Sequence, residues 1–149
     1  MRVGVIGLGK LGLPVALAIE SAGHEVAGFD PSPTVAEIRK TRRLPYVEAD
    51  AQALLENTRM EFMEPGEIAG WADLIFVAVQ TPHQPQFEGT TRLTDERADF
   101  DYSHLRDAIE SVVDAKQIVV ISTVLPGTMD RVFGEATDCV LYNPFFIAM

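Results

Sequence analysis

Arg2-Val3-Gly4-Val5-Ile6-Gly7-Leu8-Gly9-Lys10-Leu11-Gly12-Leu13-Pro14 opens the chain and decides how the rest is read. Its first half is a buried-type apolar run of strand length, from about Arg2 to Gly7. Its second half is a G-x-G-x-x-G segment leading into a helical pattern from Lys10 to Ala22, with Leu13, Leu17 and neighbouring alanines as the apolar stripe. Gly23 stands where a helix C-terminal cap belongs. His24 to Phe29 then reads as a second strand, closing on Asp30. A glycine loop alone is a weak signal; between a strand and a helix, inside a strand-helix-strand unit, it is a specific one. Gly7 permits a tight turn, Gly9 lets backbone N–H groups approach a pyrophosphate, and Gly12 lets helix and strand pack closely. The helix N-terminus supplies unpaired donors and partial positive charge to phosphates. Leu8, Lys10 and Leu11 belong to the same phosphate-facing loop. Asp30, eighteen residues beyond Gly12, places a carboxylate where ribose hydroxyls donate and a 2′-phosphate is repelled, which favours NAD over NADP. The plainer alternative is that the glycines only turn the chain and Asp30 only caps a turn.

Outward from this unit, strand-length apolar runs keep alternating with helical patterns. Pro31 and Pro33 lead into a short helix over Thr34 to Lys40, and a second helical stretch covers Glu48 to Asn57. A third strand lies near Met60 to Met63, with a one-turn helix after Pro65. Ala72 to Val79 is the clearest strand and runs into Thr81-Pro82. His83 to Asp101 is polar without apolar periodicity; a loop of that length in a compact domain is usually functional. A helix from about Tyr102 to Asp114 precedes a fifth strand, Gln117 to Ser122. Pro126 reads as a residue just inside a helix start, and a sixth strand lies near Asp138 to Tyr142. The pattern predicts an α/β Rossmann fold: one doubly wound parallel sheet of about six strands in the order 3-2-1-4-5-6, with ligand bound at the strands' carboxyl ends.

Composition narrows the function classes. At 149 residues the chain is one domain, 47% hydrophobic and 23% charged, with a formal net charge of -10. That charge repels nucleic acid, and the one basic cluster, Arg39, Lys40, Arg42 and Arg43, suits a helix C-terminus. No apolar run is long enough for a bilayer, and no signal peptide is read at the N-terminus. The single cysteine rules out an internal disulfide and fits a reducing compartment. A cytoplasmic location is expected.

With Thr81-Pro82, Leu44-Pro45-Tyr46-Val47-Glu48, Ser122-Thr123-Val124-Leu125-Pro126-Gly127-Thr128 and Tyr142-Asn143-Pro144 added to the glycine loop, nearly the whole chain resembles the UDP-glucose/GDP-mannose dehydrogenase family. The resemblance implies an enzyme that oxidises a sugar C6 alcohol to a carboxylate with NAD, through a catalytic cysteine in a later segment, on a nucleotide-sugar substrate. It also implies that Thr81 and Pro82 meet the cofactor and that Thr123 lies beside the nicotinamide, where the family uses a threonine to orient a water. On the residues alone, Thr81 also reads as initiating a turn, and Ser122 or Thr123 as capping a helix. The two readings are compatible. The family's glutamates after Asn-Pro are missing: Phe145 and Met149 occupy those places. Val35 replaces the basic residue often found after the ribose-binding aspartate. Cys139, in a predicted strand, reads as an inert buried thiol. By this resemblance the chain is the N-terminal piece of a longer protein, able to bind cofactor and unable to turn over.

Two other readings stay open. The beta-hydroxyacid dehydrogenase group resembles the chain in its glycine loop and Gly23-His24, and uses a lysine base in a later helix. A non-catalytic NAD-sensing module accounts for the missing glutamates. His24, His83 and His104 have no partner at metal-ligand spacing. Asp95, Glu96, Asp99 and Asp101 read as a solvated charged loop. An apolar patch near Phe145 and Phe146 is expected to favour self-association, with a homodimer as one outcome.

Overall fold

The computed structural model describes residues 1–87, 95, 98–134 and 139–145. The strands are β1 (Arg2–Ile6), β2 (Glu25–Phe29), β3 (Glu61–Phe62), β4 (Leu74–Val77), β5 (Ile118–Val120) and β6 (Val140–Tyr142). All neighbours pair in parallel, in the order β3-β2-β1-β4-β5-β6. The expected doubly wound sheet is therefore present. The helices are α1 (Gly12–Ser21), α2 (Pro33–Thr41), α3 (Ala51–Asn57), α4 (Pro65–Trp71), α5 (Ser103–Glu110) and α6 (Thr128–Phe133).

Alternation along the strands sends neighbouring side chains to opposite faces. Val5, Val26 and Phe76 join Leu13, Leu17, Val35, Ile38 and Leu55 in the layer under α1, α2 and α3. Ile6, Ala27, Ile75, Val77, Ile118 and Val120 pack with Ile68, Leu105, Ile109 and Val112 under α4 and α5, where Met129, Val132 and Phe133 of α6 also rest. At Gly4 the sheet is approached closely: a Cβ there would lie 2.4 Å from Ile68 Cγ2. A strand order reversing between β1 and β4 leaves a crevice at their carboxyl ends, because the helices on either side depart to opposite faces.

Several boundaries differ from those expected, each for a local reason. Helix α1 begins at Gly12 rather than Lys10, although Leu13 N–H already donates to Gly9 O at 3.1 Å. Helix α3 starts at Ala51 rather than Glu48, because Asp50 takes a left-handed φ of 60° that breaks a helix. Helix α4 is longer than one turn, since Glu64 and Glu67 form a capping box that stabilises its start. The fourth strand is shortened to Leu74–Val77, with Ala72 serving as the C-cap of α4.

Pro126 is not inside a helix. Thr128 N–H donates to Leu125 O at 3.1 Å, and Gly127 has φ 77° and ψ 0°, so Pro126-Gly127 are the central pair of a turn of type II form. Helix α6 begins after that turn. Cys139 is half-buried in a turn just before β6 rather than within the strand. Its carbonyl accepts from Ile118 N at 2.7 Å and from Gln117 Nε2 at 2.7 Å.

Candidate functional site

The crevice at the strand ends is built from backbone first. Gly7 N–H donates to Phe29 O at 2.8 Å, tying the loop to the end of β2. Gly7 itself has φ 92°, and a Cβ there would meet Ala78 O at 2.6 Å, so the turn and the close approach both require glycine. Leu8 is fully buried, its side chain lying over Gly28, where a Cβ would be 2.9 Å from Leu8 Cδ1. A Cβ on Gly12 would stand 1.8 Å from Gly7 O, so helix and loop touch through backbone alone. Gly9 is the opposite case: it is exposed, with nothing within 4 Å of a Cβ. Among the described residues, the amides of Gly9, Lys10 and Leu11 donate to no protein acceptor. Those amides stand at the N-terminus of a ten-residue helix, which is the geometry that receives a phosphate.

Asp30 locks this loop to β2. Its Oδ2 accepts from Leu8 N at 2.7 Å and its Oδ1 from Ser32 N at 2.8 Å. A carboxylate offers about four lone-pair sites, so two such bonds leave acceptor capacity toward the crevice. A cavity of about 700 Å³ opens there, lined by Gly7 to Lys10 and Asp30 on one side, Val35, Ile38 and Tyr46 on another, and His104 and Asp107 of α5 with its C-cap Ser111 on a third. This volume is in the range of small-molecule and cofactor pockets.

A second cluster lies at the ends of β4 and β5. Thr81 Oγ1 donates to Thr123 O at 2.7 Å, and Pro82 O accepts from Asp101 N at 2.8 Å. Ser122 Oγ donates to Val79 O at 2.7 Å, so it clamps β4 to β5 instead of capping a helix. The side chain of Thr123 is exposed and caps nothing either: the N-cap position of α6 is Gly127. The structure thus brings Gly7, Leu8, Gly9, Lys10 and Asp30 onto one cavity and joins Thr81 to Thr123 outside it, the cavity wall on β4's side ending at Gln80. Leu11 and Gly12 shape the loop from behind.

The sequence reading missed two groups. Tyr46 lines the cavity, and its hydroxyl is buried with no hydrogen-bond partner among the described residues. Burial, and then the charge of Glu48, push its phenol above the ordinary range. The second group is the α5 face. Residues 104, 107, 108 and 111 recur at helical spacing on one side of the crossover helix, a signal that becomes meaningful only once α5 is placed beside the glycine loop.

The charged loop is also more than solvated surface. Asp99 pairs with Arg131, and the nearby Tyr102 hydroxyl is the main cause holding its carboxyl below the usual range. Asp101 accepts from Ser103 N at 2.9 Å, and bonding to Ser103 likewise lowers its pKa. His83 packs on Phe100 with ring centroids 5.9 Å apart. Glu96, Phe146 and Met149 lie outside the described residues. Phe145 is exposed and offers no carboxylate.

A doubly wound parallel sheet with a glycine loop at its switch point and an acidic residue closing β2 defines the dinucleotide-binding α/β class. Residues 1–144 match the model of the UDP-glucose/GDP-mannose dehydrogenase family, NAD binding domain, and the chain belongs to that family. GDP-mannose 6-dehydrogenase of Pseudomonas aeruginosa is 29% identical over 148 residues, covering 89% of this chain and 30% of the relative. The enzyme of the same name from Pseudomonas putida is 32% identical over 138 residues, again covering 89% and 30%. The solved structure of a ternary complex of the P. aeruginosa GDP-mannose dehydrogenase superposes with a TM-score of 0.79 at 27% identity, covering 99% of this chain and 37% of that one. The UDP-glucose dehydrogenase structure from Pyrobaculum islandicum gives 0.72 at 26% identity, covering 99% and 36%. The chain spans about a third of the length of these proteins, corresponding to their NAD-binding part. NAD is the cofactor of this domain class. Among the described residues no helix is long and apolar enough to cross a membrane.

Proposed function

We propose that residues 1–149 form the NAD-holding domain of a longer nucleotide-sugar 6-dehydrogenase, a cytoplasmic oxidoreductase that oxidises the C6 alcohol of a UDP- or GDP-linked sugar. The observation that carries this reading is the Asp30 carboxylate, held by the Leu8 and Ser32 amides at the mouth of a cavity that also contains the glycine loop. The residues fit the cofactor. Gly9 leaves space for a pyrophosphate, and three amides there have no acceptor among the described residues. In the proposed arrangement Gly7, Leu8, Gly9, Lys10, Leu11 and Gly12 make the pyrophosphate cradle, and Asp30 accepts from the adenosine ribose hydroxyls.

Thr81, Pro82 and Thr123 face the nicotinamide end. The single proton of the Thr81 hydroxyl is committed to Thr123 O, so toward a ligand Thr81 offers lone pairs, as suits a carboxamide N–H. Thr123, with its side chain exposed at the end of β5, is the candidate to orient a water. When bound, NAD supplies a hydride acceptor; the chain's part is to bind and orient it. The nucleophile that activates the substrate carbon and the sugar site are assigned, in this proposal, to the length that the relatives have beyond the 30% this chain covers. The exposed Leu141, Tyr142 and Phe145 favour self-association, including a homodimer; a single monomeric species at all concentrations in sedimentation contradicts that.

Phe145 in place of a carboxylate favours one second reading, an NAD-responsive domain without dehydrogenase chemistry. For this chain alone, incubation with NAD and UDP-glucose or GDP-mannose is expected to give no NADH absorbance. A sugar-dependent rise overturns the division of labour proposed here.

A further inference from the structure

We propose that Tyr102 is a positioning residue that fixes the β5–α6 turn, and with it the nicotinamide end of the cofactor site. The proposal rests on the cofactor reading above and deepens it. Tyr102 is buried, 8% exposed, at the start of α5. Its hydroxyl accepts from Leu125 N at 3.3 Å and from Thr128 Oγ1 at 3.2 Å, and its proximity helps hold the Asp99 carboxyl below the usual range. Both acceptor positions of the phenol are thus filled by groups of the β5–α6 turn. The surrounding groups are in order too: Arg131 donates to Asp99 and, at 3.3 Å, to Thr128 Oγ1, whose own proton goes to Tyr102. Thr128 is fully buried, so this arrangement cannot be replaced by water without rearrangement.

The turn held in this way is the one that presents Thr123. Three hydroxyls grip it at successive residues. Thr81 donates to the carbonyl of Thr123, Tyr142 lies 3.4 Å from the amide of Val124, and Tyr102 accepts from the amide of Leu125. Two of the three come from the two ends of the segment between β4 and α5. Thr81 stands at its beginning, and Tyr102 closes it beside Asp101, whose amide is bonded to Pro82 O. The crossover connection is therefore fastened to the turn at both ends. In a parallel sheet β4 and β5 are neighbours whose carboxyl ends diverge into separate loops, and these bonds tie the described ends of the first loop to the second. Tyr102 does not line the cavity at the glycine loop; it acts through the turn.

The test uses the 149-residue chain with two ligands that divide the site. ADP binding by calorimetry reads the glycine loop and Asp30. The emission of bound NADH reads immobilisation of the reduced nicotinamide ring. In the wild type both signals are expected. Tyr102→Phe is expected to bind ADP within about twofold of wild type while the NADH emission enhancement falls to less than about half. Asp99→Asn, which weakens the pair that holds Arg131 against Thr128, is expected to fall between the wild type and Tyr102→Phe. Either variant retaining ADP binding together with full NADH enhancement overturns the proposal for its residue. A parallel loss of ADP binding in both, with native circular dichroism, also overturns it, because the effect is then not confined to the nicotinamide end. Should the wild type bind neither ligand, it is the cofactor reading that fails.

Discussion

Gly9→Ala and Gly12→Ala, three residues apart in one motif, are expected to fail in opposite ways. At Gly12 a methyl carbon stands 1.8 Å from Gly7 O and 2.9 Å from Gly7 C, whereas a carbon–oxygen contact settles at about 3.3 Å or beyond. The start of α1 must retreat by roughly 1.5 Å, away from a loop that is itself pinned to Phe29 and Asp30. Overpacking against side chains costs about 1–3 kcal/mol; against pinned backbone the upper end, ~3 kcal/mol, is the minimum to expect. For a domain stable by about 5–15 kcal/mol this is a large share, and with a urea slope of about 2 kcal/mol/M it lowers the midpoint by roughly 1.5 M. At Gly9 nothing lies within 4 Å and the backbone is outside the left-handed region. Alanine there leaves the fold intact or stabilises it by about 0.5 kcal/mol through the unfolded chain. Its methyl group nevertheless enters the space left for the pyrophosphate, so NAD affinity falls about tenfold or more. Urea unfolding and NAD calorimetry on both variants separate the two effects. A Gly12→Ala midpoint equal to wild type, or a Gly9→Ala protein with full NAD affinity, refutes the reasoning.

Other expectations follow from single contacts. Tyr46→Phe removes a buried hydroxyl without a partner among the described residues and is expected to raise stability by about 1 kcal/mol in urea unfolding; destabilisation means the hydroxyl is bonded in solution. Asp73 accepts from Arg2 N at 3.0 Å and Lys116 Nζ at 2.9 Å, and these bonds lower its pKa from 3.8 to about 2. Its contribution is therefore complete above the unfolded value and lost as pH falls toward 2. Asp73→Asn is expected to flatten the urea midpoint over that acid window, and an unchanged slope argues against the shift.

The fold was legible because its evidence is periodic and redundant: six apolar runs, a loop of three glycines between strand and helix, and an acidic residue at the end of β2. Boundaries were less so. The halt before α3 depends on Asp50 adopting a left-handed backbone, which aspartate tolerates but does not announce. Pro126 fits both a helix start and a turn, and the following Gly127, at φ 77°, decides for the turn. In the site, the glycine loop and Asp30 were readable because they are close in sequence and held mainly by backbone. The α5 face, Tyr46 and Tyr102 were not, because each matters through a neighbour far along the chain. Asp99 looked like one more surface carboxylate; its role depends on Arg131, thirty-two residues away.

In the proposed function, Asp30 and the glycine loop together select NAD. Titration calorimetry of the chain with NAD and NADP, repeated on Asp30→Ala, tests it most directly. NAD is expected to bind, NADP to bind at least tenfold more weakly, as repulsion of a 2′-phosphate by a carboxylate requires, and Asp30→Ala to weaken NAD. Equal affinities for the two dinucleotides, or an Asp30→Ala variant that binds NAD as the wild type does, contradict it.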